Sequence, residues 1–234
     1  VVAQPGVGNE AVEISKKLWS VYDQHLKGEY TKVKVLGLWS NTPAVLFSRK
    51  KAVRSLDDVK GMKIRALDAT NIPQMNAWGA SGLHIPISGV YDALDKGVID
   101  AVWVAVNAAF TPWRFAEVTD HVVDGINAPS ALFWLAMNKK VWDGLSRAAK
   151  AKIDGLTGIP FSLETARSWA VPDHKAIARL KKGVKGVSYH TLGKAEAARF
   201  DAATQRSIEA FLAASEKKGV PARAIYKAVT KPGA

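Results

Sequence analysis

Leu56-Asp57-Asp58-Val59-Lys60-Gly61-Met62-Lys63-Ile64-Arg65 opens the stretch that decides the fold, and Ser88-Gly89-Val90-Tyr91-Asp92-Ala93-Leu94-Asp95-Lys96-Gly97-Val98-Ile99-Asp100 closes it. Leu56–Val59 suits one helical turn, ended by Gly61. Met62–Leu67 has the length and apolar content of a short strand. Pro73–Trp78 suits a helix closed by Gly79, and Leu83–Ile87 an extended segment. Ser88 is placed as an N-cap, with Asp92 in the first turn and Gly97 just past the helix end. Val98–Val106 then follows as a buried strand. Strand, helix, strand, helix, strand is the pattern of an α/β sheet covered on both faces.

The same alternation continues outward. Towards the N-terminus, Val12, Leu18, Trp19, Tyr22 and Leu26 recur at helical spacing. Lys32–Leu38 and Ala44–Ser48 are predicted to be extended, with Asn41-Thr42-Pro43 forming a bend between them. Towards the C-terminus, Thr111-Pro112 is predicted to open a helix. Val122–Val123 and Ala131–Met137 have strand character, and Asn138 is an N-cap. Ser146 starts a long helix that Gly155, Gly158 and Pro160 are expected to kink. Val187–His190 is a strand, Thr191 caps a helix running towards Lys218, and Val220–Val229 is a last short helix. By chain order the domains divide at 1–60, 61–145 and 146–234.

Composition narrows the functional classes. The 234 residues include no cysteine, which excludes disulfides, thiolate metal sites and a cysteine nucleophile. No apolar run reaches the length of a membrane-spanning helix. Lys and Arg number 33 against 21 Asp and Glu, a net charge of +12. The densest cationic cluster is Lys175, Arg179, Lys181, Lys182 and Lys185, at a predicted helix C-terminus, where the dipole favours cations. No nucleic-acid recognition module accompanies it. The five histidines have no metal-ligand spacing, and Gly6-Val7-Gly8 is only a fragment of a phosphate loop, with no strand before it. Asp57-Asp58 suits a helix N-terminus. No cofactor is indicated. Composition alone leaves open an enzyme acting on a carboxylic acid on a similar α/β fold, and a basic nucleic-acid-binding protein.

The phrase Leu56–Arg65, then Trp78-Gly79-Ala80, Pro86, Ser88–Asp100, Glu117-Val118, Met137-Asn138 with Trp142 and Leu145, and Gly219-Val220-Pro221-Ala222 together resemble DctP-type solute-binding proteins of tripartite ATP-independent periplasmic (TRAP) transporters. The resemblance implies an α/β periplasmic binding protein fold of two lobes, with a long helix spanning both. It implies periplasmic capture of a small organic acid for the membrane permease subunits of the transporter, with no catalysis and no nucleic acid. It also implies that the N-terminal part of lobe I is missing here. The chain begins at Val1 without Met, so either a signal peptide has been removed or the sequence starts late, and a lobe short of strands is expected to associate.

In that family, the position of Arg65 grips the ligand carboxylate. A guanidinium supplies paired donors that match a carboxylate and keeps its charge when desolvated. Val45, Ile87 and Val104 occupy places where relatives carry polar or aromatic contacts, and Asn107 is the nearest asparagine to one of them. Trp39 and Trp103 flank the matched segments and are candidate wall residues, ahead of Phe110, Trp113 and Phe133. Together these residues imply a monocarboxylate with an apolar body, unless Arg114 turns inward and offers a second anchor.

Overall fold

The computed structural model describes residues 11–127 and 130–230. Gly6-Val7-Gly8 lies outside the described residues. The chain forms two compact units. The first comprises residues 1–42, 130–171 and 215–234, and the second 43–129 and 172–214. This partition differs from the chain-order division at 60 and 145, because strands remote in sequence pair to close each unit.

The first unit contains α1 (Ala11–Val21), β1 (Val33–Ser40), β7 (Leu132–Asn138), α4 (Lys139–Gly144), α5 (Arg147–Leu156), the part of α6 (Ile159–Lys182) up to Val171, and α8 (Ala222–Thr230). β1 and β7 pair antiparallel from Val33↔Asn138 to Ser40↔Leu132, with an irregularity between Val35 and Gly37. The start of α6 takes up backbone groups of β1 beside this point. The Gly158 N–H donates to the Leu36 carbonyl at 2.7 Å, and the Leu38 N–H donates to Ser162 Oγ at 2.9 Å. Gly37 is required at this point, since a Cβ would lie 2.8 Å from the Phe161 ring. Ile14, Leu18 and Trp19 of α1 pack with Val35, Leu38, Ile225 and Val229 to form the core.

The second unit is built on a six-stranded sheet in the order β4-β3-β5-β2-β6-β8. These strands are β2 (Val45–Ser48), β3 (Lys63–Arg65), β4 (Ser81–Leu83), β5 (Ala101–Val104), β6 (His121–Asp124) and β8 (Ser188–Thr191). β2 runs antiparallel to both neighbours, while the β4/β3, β3/β5 and β6/β8 pairs are parallel. All strands except β2 therefore point the same way. One face carries Leu46, Ile64, Ala101, Trp103 and Val123 against Met75 and Trp78 at α2 (Ile72–Ala77) and Phe200 of α7 (Lys194–Glu216). The other carries Val45, Phe47, Val102, Val104 and Val122 against α3 (Val90–Asp95) and Ala176 and Leu180 of α6. The expected α/β layering is thus present.

Several boundaries differ from expectation, each for a local reason. β5 is shorter than Val98–Val106, because the N–H groups of Val98 and Ile99 turn back to the Ala93 carbonyl. Ser88 sits in a 3₁₀ turn, and Gly89 occupies the N-cap of α3 without a side-chain bond. No helix opens at Thr111-Pro112. Arg114 is left-handed with φ 55°, which a right-handed helix does not admit, and only a 3₁₀ turn at Phe115–Glu117 follows. Ser146 caps α5 as expected, but Thr157 and Gly158 separate α5 from α6. The proline inside α6 is Pro172, where the chain passes from one unit to the other. Thr191 ends β8 and does not cap α7.

Trp78 anchors the second unit. Its ring lies 4.7 Å from that of Trp103 and 5.1 Å from that of Phe200, and its Nε1–H donates to Thr204 Oγ1 at 2.9 Å. Trp78→Ala is expected to cost about 3–5 kcal/mol of stability, measured by chemical denaturation followed by circular dichroism.

Candidate ligand-binding site

Because β3, β4 and β5 are parallel, their last residues, Arg65, Leu83 and Val104, lie at one end of the sheet. Val45, the first residue of antiparallel β2, pairs with Val104 and joins them. The C-terminal end of such a sheet is where open α/β folds bind ligands, since loops diverge there. Arg65 reaches it by a tightly specified route. The Asp58 carboxylate accepts from the Ser55 backbone and hydroxyl, the 3₁₀ turn Leu56–Val59 comes next, and Gly61 at φ 75° turns the chain into β3.

Arg65 is 5% exposed. Its Nε–H donates to the Ile85 carbonyl at 3.0 Å. No carboxylate among the described residues is within ion-pair distance, and the terminal Nη groups have no partner there. Burial pushes the guanidinium pKa down, while the charge of Asp68 pushes it back up. Asp68 itself is engaged by the Thr70 backbone N–H and hydroxyl. Arginine stays protonated through such shifts, so this is a buried positive charge without a bonded counter-ion. It can hold an anion in fork geometry.

Val45 and Val104 are buried, and Ile87 and Asn107 are half-buried. Val45, Val104 and Ile87 all belong to the apolar cluster on one face of the sheet. Asn107 sits in the 3₁₀ turn Val106–Ala109 directly after β5, and its side-chain amide has no partner among the described residues. Its backbone N–H donates to Asp173 Oδ1 at 2.9 Å. Sequence reasoning missed Asp173, which is fully buried, because that contact joins residues 66 apart.

One of the expected wall residues is buried in the core, and another belongs to the first unit. Trp103 is fully buried on the sheet face opposite Val102 and Val104, against Trp78, so it is a core residue. Alternation along β5 forces this, since adjacent residues point to opposite faces. Trp39 lies in the first unit, stacked on Phe133 at 5.9 Å and edge-on to Phe161 at 6.0 Å. Arg114 is exposed, 3.7 Å from Glu117 and over the Tyr91 ring at 5.5 Å. A cavity of about 460 Å³ lined by Phe110, Arg114, Glu117, Asp120, Arg179 and Lys185 does not include Arg65. Asp120 and Gly186 in its wall precede β6 and β8, at the N-terminal end of the sheet. The Arg65 end is the better candidate on both strand direction and unpaired charge. Of the cationic cluster, Arg179 stacks on Phe110 at 4.0 Å and Lys181 lies 5.8 Å from the Tyr189 ring.

Residues 11–215 match the bacterial extracellular solute-binding protein family 7, DctP. The chain belongs to this family. It is 27% identical over 220 residues to the outer membrane transporter protein TsaT of Comamonas testosteroni, covering 92% of this chain and 64% of that one. The chain thus spans less than two thirds of that relative. Among solved structures, a TRAP solute-binding protein from Rhodoferax ferrireducens, in complex with benzoate, superposes with a TM-score of 0.89 at 21% identity. The match covers 97% of this chain and 71% of that one. A TRAP periplasmic solute-binding protein from Bordetella bronchiseptica, with bound (R)- and (S)-mandelate, gives a TM-score of 0.85 at 22% identity over 97% and 72%. At these identities the structural likeness shows a shared fold.

A buried guanidinium without a bonded counter-ion contributes little to the fold. Replacing a buried charge with an apolar side chain of similar length is commonly neutral or stabilising. Arg65→Met is therefore expected to leave the stability of the unliganded protein unchanged or raised by about 1 kcal/mol. Urea unfolding without ligand tests this. A loss of about 2 kcal/mol or more would assign Arg65 to the architecture instead.

Proposed function

We propose that this protein captures a small organic acid in the periplasm for the permease subunits of a TRAP transporter, and that it binds without turnover. The observation that carries the reading is Arg65: a buried guanidinium at the C-terminal end of the sheet, with no carboxylate among the described residues bonded to it. A ligand carboxylate supplies the missing counter-charge to the free Nη groups. Family membership and the acids bound by the structural relatives support the same reading. Among the described residues no helix is long and apolar enough to cross a membrane.

The walls favour a monocarboxylate with an apolar body. Val45, Ile87 and Val104 offer no hydrogen bonds, and a polar ligand group buried against them costs about 1–3 kcal/mol. Asp68 already sets a negative charge near Arg65, which disfavours a second carboxylate. Arg114, engaged with Glu117 and Tyr91, supplies no second anchor. Aryl and branched-chain acids, with or without a 2-oxo or 2-hydroxy group, fit these walls better than sugar acids or C4-dicarboxylates.

A thermal-shift screen over these classes identifies ligands through the stability that binding adds. Calorimetric titration then measures the contribution of Arg65. Arg65→Ala is expected to lose about 2 kcal/mol or more of binding free energy, and Arg65→Lys to recover only part of it. Unchanged affinity in Arg65→Ala sinks the assignment. Tightest binding by sialic acid or a C4-dicarboxylate overturns the apolar-wall argument alone. Mass analysis after prolonged incubation is expected to return the acid unchanged, and a product accumulating with time would favour an enzyme.

A further inference from the structure

β5 leads into the 3₁₀ turn Val106–Ala109, and that turn is capped from a remote part of the chain. Its N-cap residue is Ala105, which has no side-chain acceptor to offer. The Asn107 N–H donates instead to Asp173 Oδ1 at 2.9 Å, across 66 residues of sequence. Asp173 is fully buried. A serine or aspartate in place of Ala105 would satisfy a first-turn N–H locally, without taking a distant carboxylate out of water. The remote carboxylate does what a local cap does not: it ties the position of the turn to α6. A charge-assisted bond of this kind holds its partner more firmly than a neutral one.

The turn presents one polar side chain. From Ala101 to Ala109 every residue is buried except Asn107, which is half-buried, and its amide has no partner among the described residues. β3 and β5 are adjacent and parallel, with Arg65 in register with Val102. The chain leaving β5 therefore emerges at the same sheet end as the guanidinium. A guanidinium fork occupies both oxygens of a carboxylate. Val45, Ile87 and Val104 add no hydrogen bond. The Asn107 amide is then left for a further oxygen on the ligand, and the position next to a carboxylate is the 2-position. A 2-hydroxyl, which donates and accepts, matches an amide that does both, whereas a 2-oxo group uses only its donor side.

We propose that Asp173 is a positioning residue for ligand binding: by holding the Asn107 backbone, it sets the Asn107 amide against the 2-hydroxyl of an acid whose carboxylate is gripped by Arg65. The inference rests on the organic-acid reading of Arg65 and narrows it to 2-hydroxy acids over their unsubstituted counterparts. In this arrangement Asp173 does not touch the ligand, and its whole effect passes through Asn107. Arg65, Asn107 and Asp173 all belong to the second unit.

Mandelate and phenylacetate are suitable probes, since they share a skeleton and differ by the 2-hydroxyl. Calorimetric titration of the unmodified chain is expected to show mandelate bound about tenfold more tightly, the effect of one buried hydrogen bond. Asn107→Ala is expected to bring the affinity ratio close to unity. Asp173→Ala and Asp173→Leu, which lack an acceptor, are expected to do the same, with phenylacetate affinity kept within about threefold. Asp173→Asn preserves the shape and an acceptor oxygen and is expected to retain most of the ratio. Adding Asp173→Leu to Asn107→Ala is expected to change the ratio no further, because both act through one contact. A residue that served only the fold would weaken both acids alike and add its loss to that of Asn107→Ala, and that result overturns the proposal. So does a ratio close to unity, or no binding of mandelate, in the unmodified chain. Failure of both acceptor-free variants to fold, read by circular dichroism, assigns Asp173 to the architecture and overturns it as well. If Arg65→Ala binds as the unmodified chain does, the reading of Arg65 fails. A loss at Arg65 with an unmoved ratio in the Asp173 variants sinks this inference alone.

Discussion

The second unit is organised by the cost of taking a guanidinium out of water. Arg65 is 5% exposed and bonded through Nε to a single carbonyl, that of Ile85. An uncompensated buried charge opposes folding by several kcal/mol. The surrounding structure absorbs that cost with a sheet packed on both faces and a well-determined path into β3. Strand direction then does the rest. With five of six strands parallel, the ends of β3, β4 and β5 converge, and the charge is set beside Val45 and Val104 at the end where loops diverge.

The two faces of the sheet in this unit carry different groups. Trp78, Trp103 and Phe200 form a tight aromatic group on one face. The opposite face holds the valines that continue to the Arg65 end. Asp173 ties α6 to the loop after β5. It lies one residue after the proline inside α6 and holds the backbone of Asn107, in the turn directly after β5. A buried carboxylate used on a backbone N–H fixes a loop more firmly than an exposed ion pair would. The surface pairs of this chain, such as Lys139–Asp143 and Arg167–Glu164, are exposed and contribute little by comparison.

The first unit is held differently. Hydroxyl groups in it accept backbone N–H groups of β1: Ser162 accepts from Leu38, and Ser15 accepts from Ser40 while donating to the Ala11 carbonyl. Its core joins α1, α8 and one face of β1, with Leu132 of β7 packed against it.

The sequence by itself determined the α/β alternation, most of the strands and the family, and it put Arg65 forward as the candidate anchor. These depend on local periodicity, turn glycines such as Gly61, Gly79 and Gly97, and motif order, all of which are carried by neighbouring residues. Only the tertiary structure decided that Trp103 is core, that Asp173 supports Asn107, and that Trp39 belongs to a different unit from Arg65. It also decided that Arg114 is left-handed and turned to Glu117 and Tyr91, which removed the predicted helix. The physical reason is the same in each case. Which face of a strand is buried, and which remote group meets a free N–H, depend on pairing register and packing between segments tens of residues apart, and local spacing in the chain does not encode them.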